Sequence, residues 1–93
     1  MAIDPSLRPK LPRGVRLHED IARTRTVLLA PERVLAPNES ALAVLKRCTG
    51  QATVREISYE LSVIARADPA EVLRDVSALI AELEVSALVD LIP

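Results

Sequence analysis

The chain has 93 residues, of which 49% are apolar, and its formal net charge is −1. A chain of this length forms one small domain with a single modest core, and its one cysteine, Cys48, excludes an internal disulfide. Tyr59 is the one aromatic residue, so a surface that stacks bases or sugars on aromatic rings is excluded. The charge is uneven, because residues 1–25 carry six basic and three acidic groups, whereas residues 26–93 carry six basic and ten acidic groups.

The N-terminal segment, residues 1–12, holds three prolines among basic and isolated apolar residues. This composition predicts an extended, basic, proline-rich arm that is either disordered or docked on an acidic partner or a sister subunit. No run in the chain approaches the roughly 18 apolar residues of a membrane span, and no signal peptide is recognisable. We therefore expect a cytoplasmic protein without membrane contact, in which residues 13–93 form a single domain.

Three short strands are predicted after the arm. Val15 to Glu19 alternates apolar and polar residues, Thr26 to Ala30 is mainly apolar, and Val34 to Ala36 lies between Pro31 and Pro37. The first two are expected to pair as an antiparallel hairpin. Because proline has no N–H for a ladder, its presence at both ends of the third strand predicts an edge strand. Such an edge leaves unpaired N–H and C=O groups that another chain can use.

Three helices are predicted next, and each is marked by a residue that can cap its first turn. The first spans about residues 38–49 and begins at Asn38. The second begins at Thr53 and Glu56, which have the spacing of a capping box. The third begins at Asp68, which is followed by a proline suited to the first helical position.

The third helix carries an apolar stripe two residues wide at each turn, which is broader than one core contact requires. Its members are Val72, Leu73, Val76, Leu79, Ile80 and Leu83. This width predicts a helix that touches two surfaces or lines a groove. The segment after it, residues 86–92, is apolar with one charge, and three alternatives stay open for it: a returning strand, an extension of the helix, or a segment exchanged between subunits.

Catalytic and metal chemistry find no support in the sequence. One histidine and one cysteine cannot supply a Cys/His metal cluster, and the two glycines, Gly14 and Gly50, do not form a phosphate-binding loop. We therefore predict no catalytic residue, no metal and no cofactor.

A small sheet followed by three helices, the last two joined by a tight turn, is typical of a winged helix-turn-helix, so a DNA-binding protein is the alternative function. The third helix would read the DNA, but it carries Glu71, Asp75, Glu82 and Glu84 against Arg74 alone. Since affinity for duplex DNA depends largely on neutralising phosphates with basic residues, this helix would be repelled. The sequence therefore favours no nucleic-acid partner and indicates a peptide-binding or generic interaction module instead.

Several segments, taken together, resemble the PqqD family, the peptide chaperones of pyrroloquinoline quinone (PQQ) biosynthesis. They cover roughly residues 8–90 and read Arg13-Gly14-Val15-Arg16-Leu17, Leu28-Leu29-Ala30-Pro31-Glu32, Asn38-Glu39, Gly50-Gln51-Ala52-Thr53-Val54 and Asp75-Val76-Ser77-Ala78-Leu79. The resemblance implies an α+β, winged helix-turn-helix-like fold with three short N-terminal antiparallel strands followed by three α-helices. The chain departs from the family pattern at Thr26, Thr49 and Ala87, where an aromatic residue, an aspartate and a glycine are common.

The resemblance also implies a function. The family binds the precursor peptide PqqA, as a recognition element for a ribosomally synthesised and modified peptide (RiPP), and presents it to the radical-SAM enzyme PqqE, which cross-links a Glu and a Tyr. In related elements the peptide adds as a strand beside the third strand and lies against the third helix. Carried onto this sequence, the peptide-binding residues are Arg33, Val34, Leu35, Ala36, Leu73, Val76, Ser77 and Ile80. Because a short hairpin that leaves the third strand would pair elsewhere, a strand-exchanged homodimer also stays open.

Overall fold

The computed structural model describes residues 3–93 as two small antiparallel sheets and three helices. In chain order the elements are β1 (Arg8–Lys10), β2 (Arg16–Asp20), β3 (Arg25–Ala30), β4 (Arg33–Leu35), α1 (Glu39–Leu45), α2 (Val54–Ala65), α3 (Pro69–Val85) and β5 (Asp90–Ile92). The expected α+β fold is confirmed, since three short antiparallel strands, β2 to β4, are followed by three helices. The strands β1 and β5 are additional to that expectation.

The larger sheet has the order β2-β3-β4 and buries one of its faces. Leu28 on β3 lies opposite Leu17 on β2 and opposite Leu35 on β4, so the three leucines share the face that packs on the core. The other face carries Arg16 and Val34, which are both exposed. The strand β4 therefore lies at one margin of the sheet.

The smaller sheet joins the two ends of the chain, because β1 pairs antiparallel with β5 and sets Pro9 opposite Leu91. Pro9 is almost completely buried, and its carbonyl accepts a 2.9 Å hydrogen bond from the N–H of Gly50. The predicted arm, residues 1–12, thus contains a strand that pairs with the chain's own C-terminal segment; Met1 and Ala2 lie outside the described residues. Of the three alternatives for residues 86–92, the structure has the returning strand.

The helices begin where the sequence predicts, because each cap is local. The Asn38 side chain accepts from the N–H of Ala41 at 2.8 Å. Thr53 and Glu56 form the complete capping box, with bonds of 3.0 and 2.8 Å. The Asp68 carboxylate accepts from the N–H of Glu71, the third residue of α3, which begins with a proline. The cap positions and the type of each helix are confirmed.

The first helix is shorter than the predicted span of residues 38–49. It ends at Leu45, after which the N–H groups of Arg47 and Cys48 bond to carbonyls three residues back, at 3.0 and 3.1 Å. Such bonds tighten the chain into turns, so Lys46 and Arg47 follow the helix.

The last helix ends in a Schellman turn. The N–H of Leu88 bonds to the carbonyl of Leu83 at 2.8 Å, and the N–H of Ala87 bonds to the carbonyl of Glu84 at 3.0 Å. Ala87 adopts the left-handed conformation with φ of 61°, at the position where the family pattern has glycine. The turn directs Leu88 and Val89 into the core and leads the chain into β5.

The core lies between the larger sheet and the three helices and consists of aliphatic side chains and Cys48. Its buried members are Val15, Leu28, Val44, Leu45, Cys48, Val54, Ile57, Val76, Ile80, Leu88 and Val89. Over residues 3–93 no helix is both long enough and apolar enough to cross a membrane.

Candidate peptide-binding site

The outer edge of β4 has no neighbouring strand within residues 3–93, because β3 is its one partner in the sheet. Arg33 and Ala30 flank a two-residue turn made of Pro31 and Glu32. Proline fixes φ at the first central position, and Glu32 has φ of 59°, which is the sign that the second central position of a type II turn requires. The turn therefore starts β4 directly after β3 and fixes its register.

The register determines which backbone groups face the free edge. The residues that close a two-residue turn, Ala30 and Arg33, form a hydrogen-bonded pair, and such pairs alternate along an antiparallel ladder. Arg33 and Leu35 therefore direct their N–H and C=O groups to β3, whereas Val34 directs its own to the outside. Val34 is thus the residue whose backbone can donate to and accept from an added strand.

The side chains of β4 alternate between the two faces of the sheet. Val34 lies on the outer face and is 68% exposed, whereas Leu35 is half-buried and packs on the core. Arg33 extends to the C-terminal end of α3, where its Nη2 donates to the carbonyl oxygen of Ser86 at 2.8 Å. Ala36 follows the strand and is exposed.

The residues predicted on α3 differ in their access to a ligand. Leu73, Ser77 and Ile80 follow one another at spacings of four and three residues, so they share one stripe of the helix. Leu73 and Ser77 are half-buried, whereas Ile80 and Val76 are 0% and 5% exposed and belong to the core. Leu73 and Ser77 are therefore partly accessible at the surface of α3, whereas Val76 and Ile80 are not.

The exposed side of α3 is acidic. Glu71, Asp75, Glu82 and Glu84 are all exposed, and Arg74 is the basic residue among them. The first turn already uses one carboxylate, because Asp68 caps the backbone N–H of Glu71. The acidic residues that the sequence places on α3 are therefore exposed to solvent.

The cysteine is unsuited to nucleophilic chemistry. Burial raises the pKa of the Cys48 thiol to about 11, so the thiolate that would act as a nucleophile is not formed near neutral pH. Its Sγ donates to the carbonyl of Val44 at 3.3 Å. Within residues 3–93, no three His, Cys, Asp or Glu side chains are grouped as metal ligands would be.

The helices also form a cleft, which matches one of the two alternatives predicted from the wide apolar stripe of α3, a helix that lines a groove. An open cleft of about 380 Å³ lies between the three helices, and its wall on α3 includes Val72 and Leu79. These two residues form the side of the wide apolar stripe that does not include Leu73 and Ser77. The width of the stripe was a signal for this cleft, but the sequence does not specify which helices complete it.

A known protein family matches the part of the chain that forms this edge strand and the helices after it. The family model described as "Coenzyme PQQ synthesis protein D (PqqD)" matches residues 25–89, which include β3, β4 and all three helices. The chain belongs to the PqqD family. The resemblance inferred from the short sequence segments is therefore confirmed.

Curated relatives of this PqqD-family chain carry the name "PqqA binding protein". The relative from Rhodopseudomonas palustris (strain TIE-1) is 46% identical over 83 residues, which are 89% of this chain and 81% of the relative. The relative from Xanthomonas oryzae pv. oryzae is 43% identical over 84 residues, 90% of this chain and 91% of the relative. In Methylorubrum extorquens the matching segment, 45% identical, makes up 20% of a "Bifunctional coenzyme PQQ synthesis protein C/D".

Two solved structures of the family resemble this fold. The solution NMR structure of the PqqD truncation of Methylobacterium extorquens PqqCD, described as a functional, stand-alone RiPP recognition element, has a TM-score of 0.78 at 40% identity. The match covers 96% of this chain and 95% of the chain in the NMR structure. The crystal structure of PqqD from Xanthomonas campestris has a TM-score of 0.58 at 38% identity and covers 92% and 96% of the two chains.

Proposed function

We propose that this chain is a non-catalytic peptide chaperone of PQQ biosynthesis, which binds the precursor peptide PqqA as a strand added to β4 and presents it to the radical-SAM enzyme PqqE. The observation that carries the proposal is the free outer edge of β4 beside α3. The identity of the guest is supported by the relatives named PqqA binding proteins.

Strand addition on so short an edge needs side-chain contacts as well as backbone bonds. Each backbone hydrogen bond contributes roughly 1 kcal/mol net, and β4 has three residues. Guest side chains beside Arg33 and Leu35 would point towards α3, and those beside Val34 would lie on the outer face of the sheet. Arg33 uses one N–H for Ser86 and has further donors, so an acidic or polar guest residue fits beside it.

Presentation to PqqE follows from the same alternation. A guest strand on β4 would keep half of its side chains on the outer face, where this chain contributes the exposed side chains of Val34 and Arg16. An enzyme could therefore approach the bound peptide from that face without displacing it. A strand-exchanged homodimer is the competing use of the edge, because a second copy would occupy the groups that the guest needs.

The decisive variant removes one N–H from the edge. Val34→Pro is expected to fold, because proline is tolerated in an edge strand where its missing N–H faces solvent. It should weaken binding of synthetic PqqA at least tenfold, whereas the matched control Val34→Ala keeps the N–H and should change affinity less than threefold. Isothermal titration gives the affinities, and ¹⁵N-labelled protein should show peptide-induced shifts at residues 33–36 and along α3.

The proposal is contradicted if Val34→Pro binds PqqA as tightly as the native chain, or if the shifts are confined to β1 and β5. Light scattering with and without peptide tests the dimer, which should dissociate as peptide binds if it uses the same edge. A gel shift with duplex DNA at low salt tests the alternative of a DNA-binding protein, and we expect no complex because α3 is acidic.

A further inference from the structure

The cleft between the helices is separate from the backbone edge of β4. It has a volume of about 380 Å³ and is open to solvent on one side. Its apolar wall comes from all three helices and includes Ala43, Val44, Leu61, Ile64, Val72 and Leu79, together with the buried Val76. This volume lies within the range of small-molecule and side-chain binding pockets.

The cleft exposes apolar side chains that a closed core would cover. Ile64 is 64% exposed, and Leu61, Val72 and Leu79 are half-buried. Exposed apolar residues that converge on one concave surface indicate a contact site more strongly than single exposed residues do. Val63, which precedes Ile64 on α2, is 60% exposed but does not line the cleft. A truncation of Val63 is therefore a control for the same truncation of Ile64.

The cleft adjoins the proposed strand site. The two sites share α3, because Val72 and Leu79 line the cleft and Leu73 and Ser77 lie on the neighbouring stripe of the same helix. On the opposite wall, Glu39 and Ser40 begin α1 only four residues after β4 ends at Leu35. The cleft therefore opens near the C-terminal end of β4. A guest that pairs antiparallel with β4, as β3 does, would place there the residues that precede its added strand.

The charged residues of the cleft have one sign. Glu39 and Asp75 line it, both are exposed, and the lining includes no Lys or Arg. An occupant that combines an apolar side chain with a neighbouring basic residue would satisfy the apolar wall and the acidic rim together.

We propose that this cleft is a second binding subsite for the same guest peptide, and that it takes a bulky apolar side chain with a basic neighbour from the segment just before the added strand. The proposal rests on the proposed function, because the guest must already lie along β4. Backbone pairing along the three-residue edge of β4 gives affinity, and the cleft would add selection for one side chain of the guest peptide.

Two matched pairs of variants test the subsite without altering β4. Ile64→Ala removes cleft surface, and Val63→Ala makes a similar truncation outside the cleft. Ala43→Leu fills the cleft, and Ala78→Leu places the same side chain on an exposed position of α3 that does not line it. We expect Ile64→Ala and Ala43→Leu each to weaken PqqA binding about tenfold, and both controls to stay within twofold of the native chain.

A direct readout accompanies the affinities. With the Ile64 δ1 methyl group labelled, the bound peptide should give intermolecular NOEs to that methyl in addition to the shifts along β4.

If PqqA binds with shifts on β4 but Ile64→Ala and Ala43→Leu bind normally and no NOE appears, the subsite is refuted and the strand site survives. If Ala43→Leu instead changes the oligomeric state while PqqA affinity is unchanged, a second copy occupies the cleft and the proposal is overturned. If PqqA does not bind at all, the proposed function fails first and the subsite with it.

Discussion

Replacing Ala87 by glycine should stabilise the protein, although it removes a side chain. Ala87 closes the Schellman turn of α3 with φ of 61°, a conformation that costs a residue with a Cβ about 1–2 kcal/mol. Glycine adopts it freely but loses about 0.5–1 kcal/mol more conformational entropy on folding. Because Ala87 is exposed, its replacement by glycine removes little packing, and the net expectation is about 0.5–1 kcal/mol of added stability. In a domain of this size that raises Tm by roughly 4 °C.

The matched control is the same substitution within the same helix. Ala78 is exposed in the interior of α3, where alanine is preferred to glycine by about 1 kcal/mol. Ala78→Gly should therefore lower Tm by roughly 5 °C, so the two identical substitutions shift stability in opposite directions. Thermal unfolding followed by circular dichroism measures both. If Ala87→Gly also lowers Tm, the left-handed conformation of Ala87 does not strain the turn.

Three further predictions concern the rest of the fold. Thr53→Ala should cost about 1 kcal/mol in urea unfolding because it removes the cap of α2, and Thr53→Ser should restore most of it. Burial raises the pKa of the Cys48 thiol from 9.0 to about 11, so the thiol should resist alkylation at pH 8 while the protein is folded. Because the thiol of the unfolded chain ionises at lower pH, the free energy of unfolding should fall between pH 9 and 11, and Cys48→Ala should lack this fall. Deleting residues 1–10 should destabilise the domain and remove hydrogen-exchange protection from residues 90–92; unchanged protection would show that β5 does not depend on β1.

The features that the sequence predicted depend on residues close together in the chain. Asn38, Thr53 and Asp68 cap helices through bonds to residues three positions away, so short patterns suffice to find them. The early end of α1 was missed because the turns after Leu45 use bonds to carbonyls three residues back, which differ little in sequence signal from a continuing helix.

The features that the sequence did not predict depend on residues far apart in the chain. The pairing of β1 with β5 joins segments about 80 residues apart, and each strand has three residues, one of them Pro9. No periodic pattern survives in strands so short. The wide stripe of α3 allowed for a groove, but the sequence did not specify the other walls, because Ala43 and Ile64 lie on different helices and only packing brings them to one surface.

For the candidate site, the prolines around β4 were enough to predict an edge strand. They did not specify which residue offers its backbone, because that depends on the two-residue turn between β3 and β4 and on the alternation it sets. The burial of Val76 and Ile80 likewise needed the structure, since an apolar stripe does not reveal which of its members face the core.

The pairing of β1 with β5 also has a consequence for covalent attachment. It holds residues 8 and 92 side by side, and the Arg8 guanidinium reaches the carbonyl of Pro93 at 2.6 Å. A tether on either side would therefore leave from one spot, on a different sheet from β4. The domain should therefore tolerate insertion into a larger polypeptide, or circular permutation with new termini at residues 21–24.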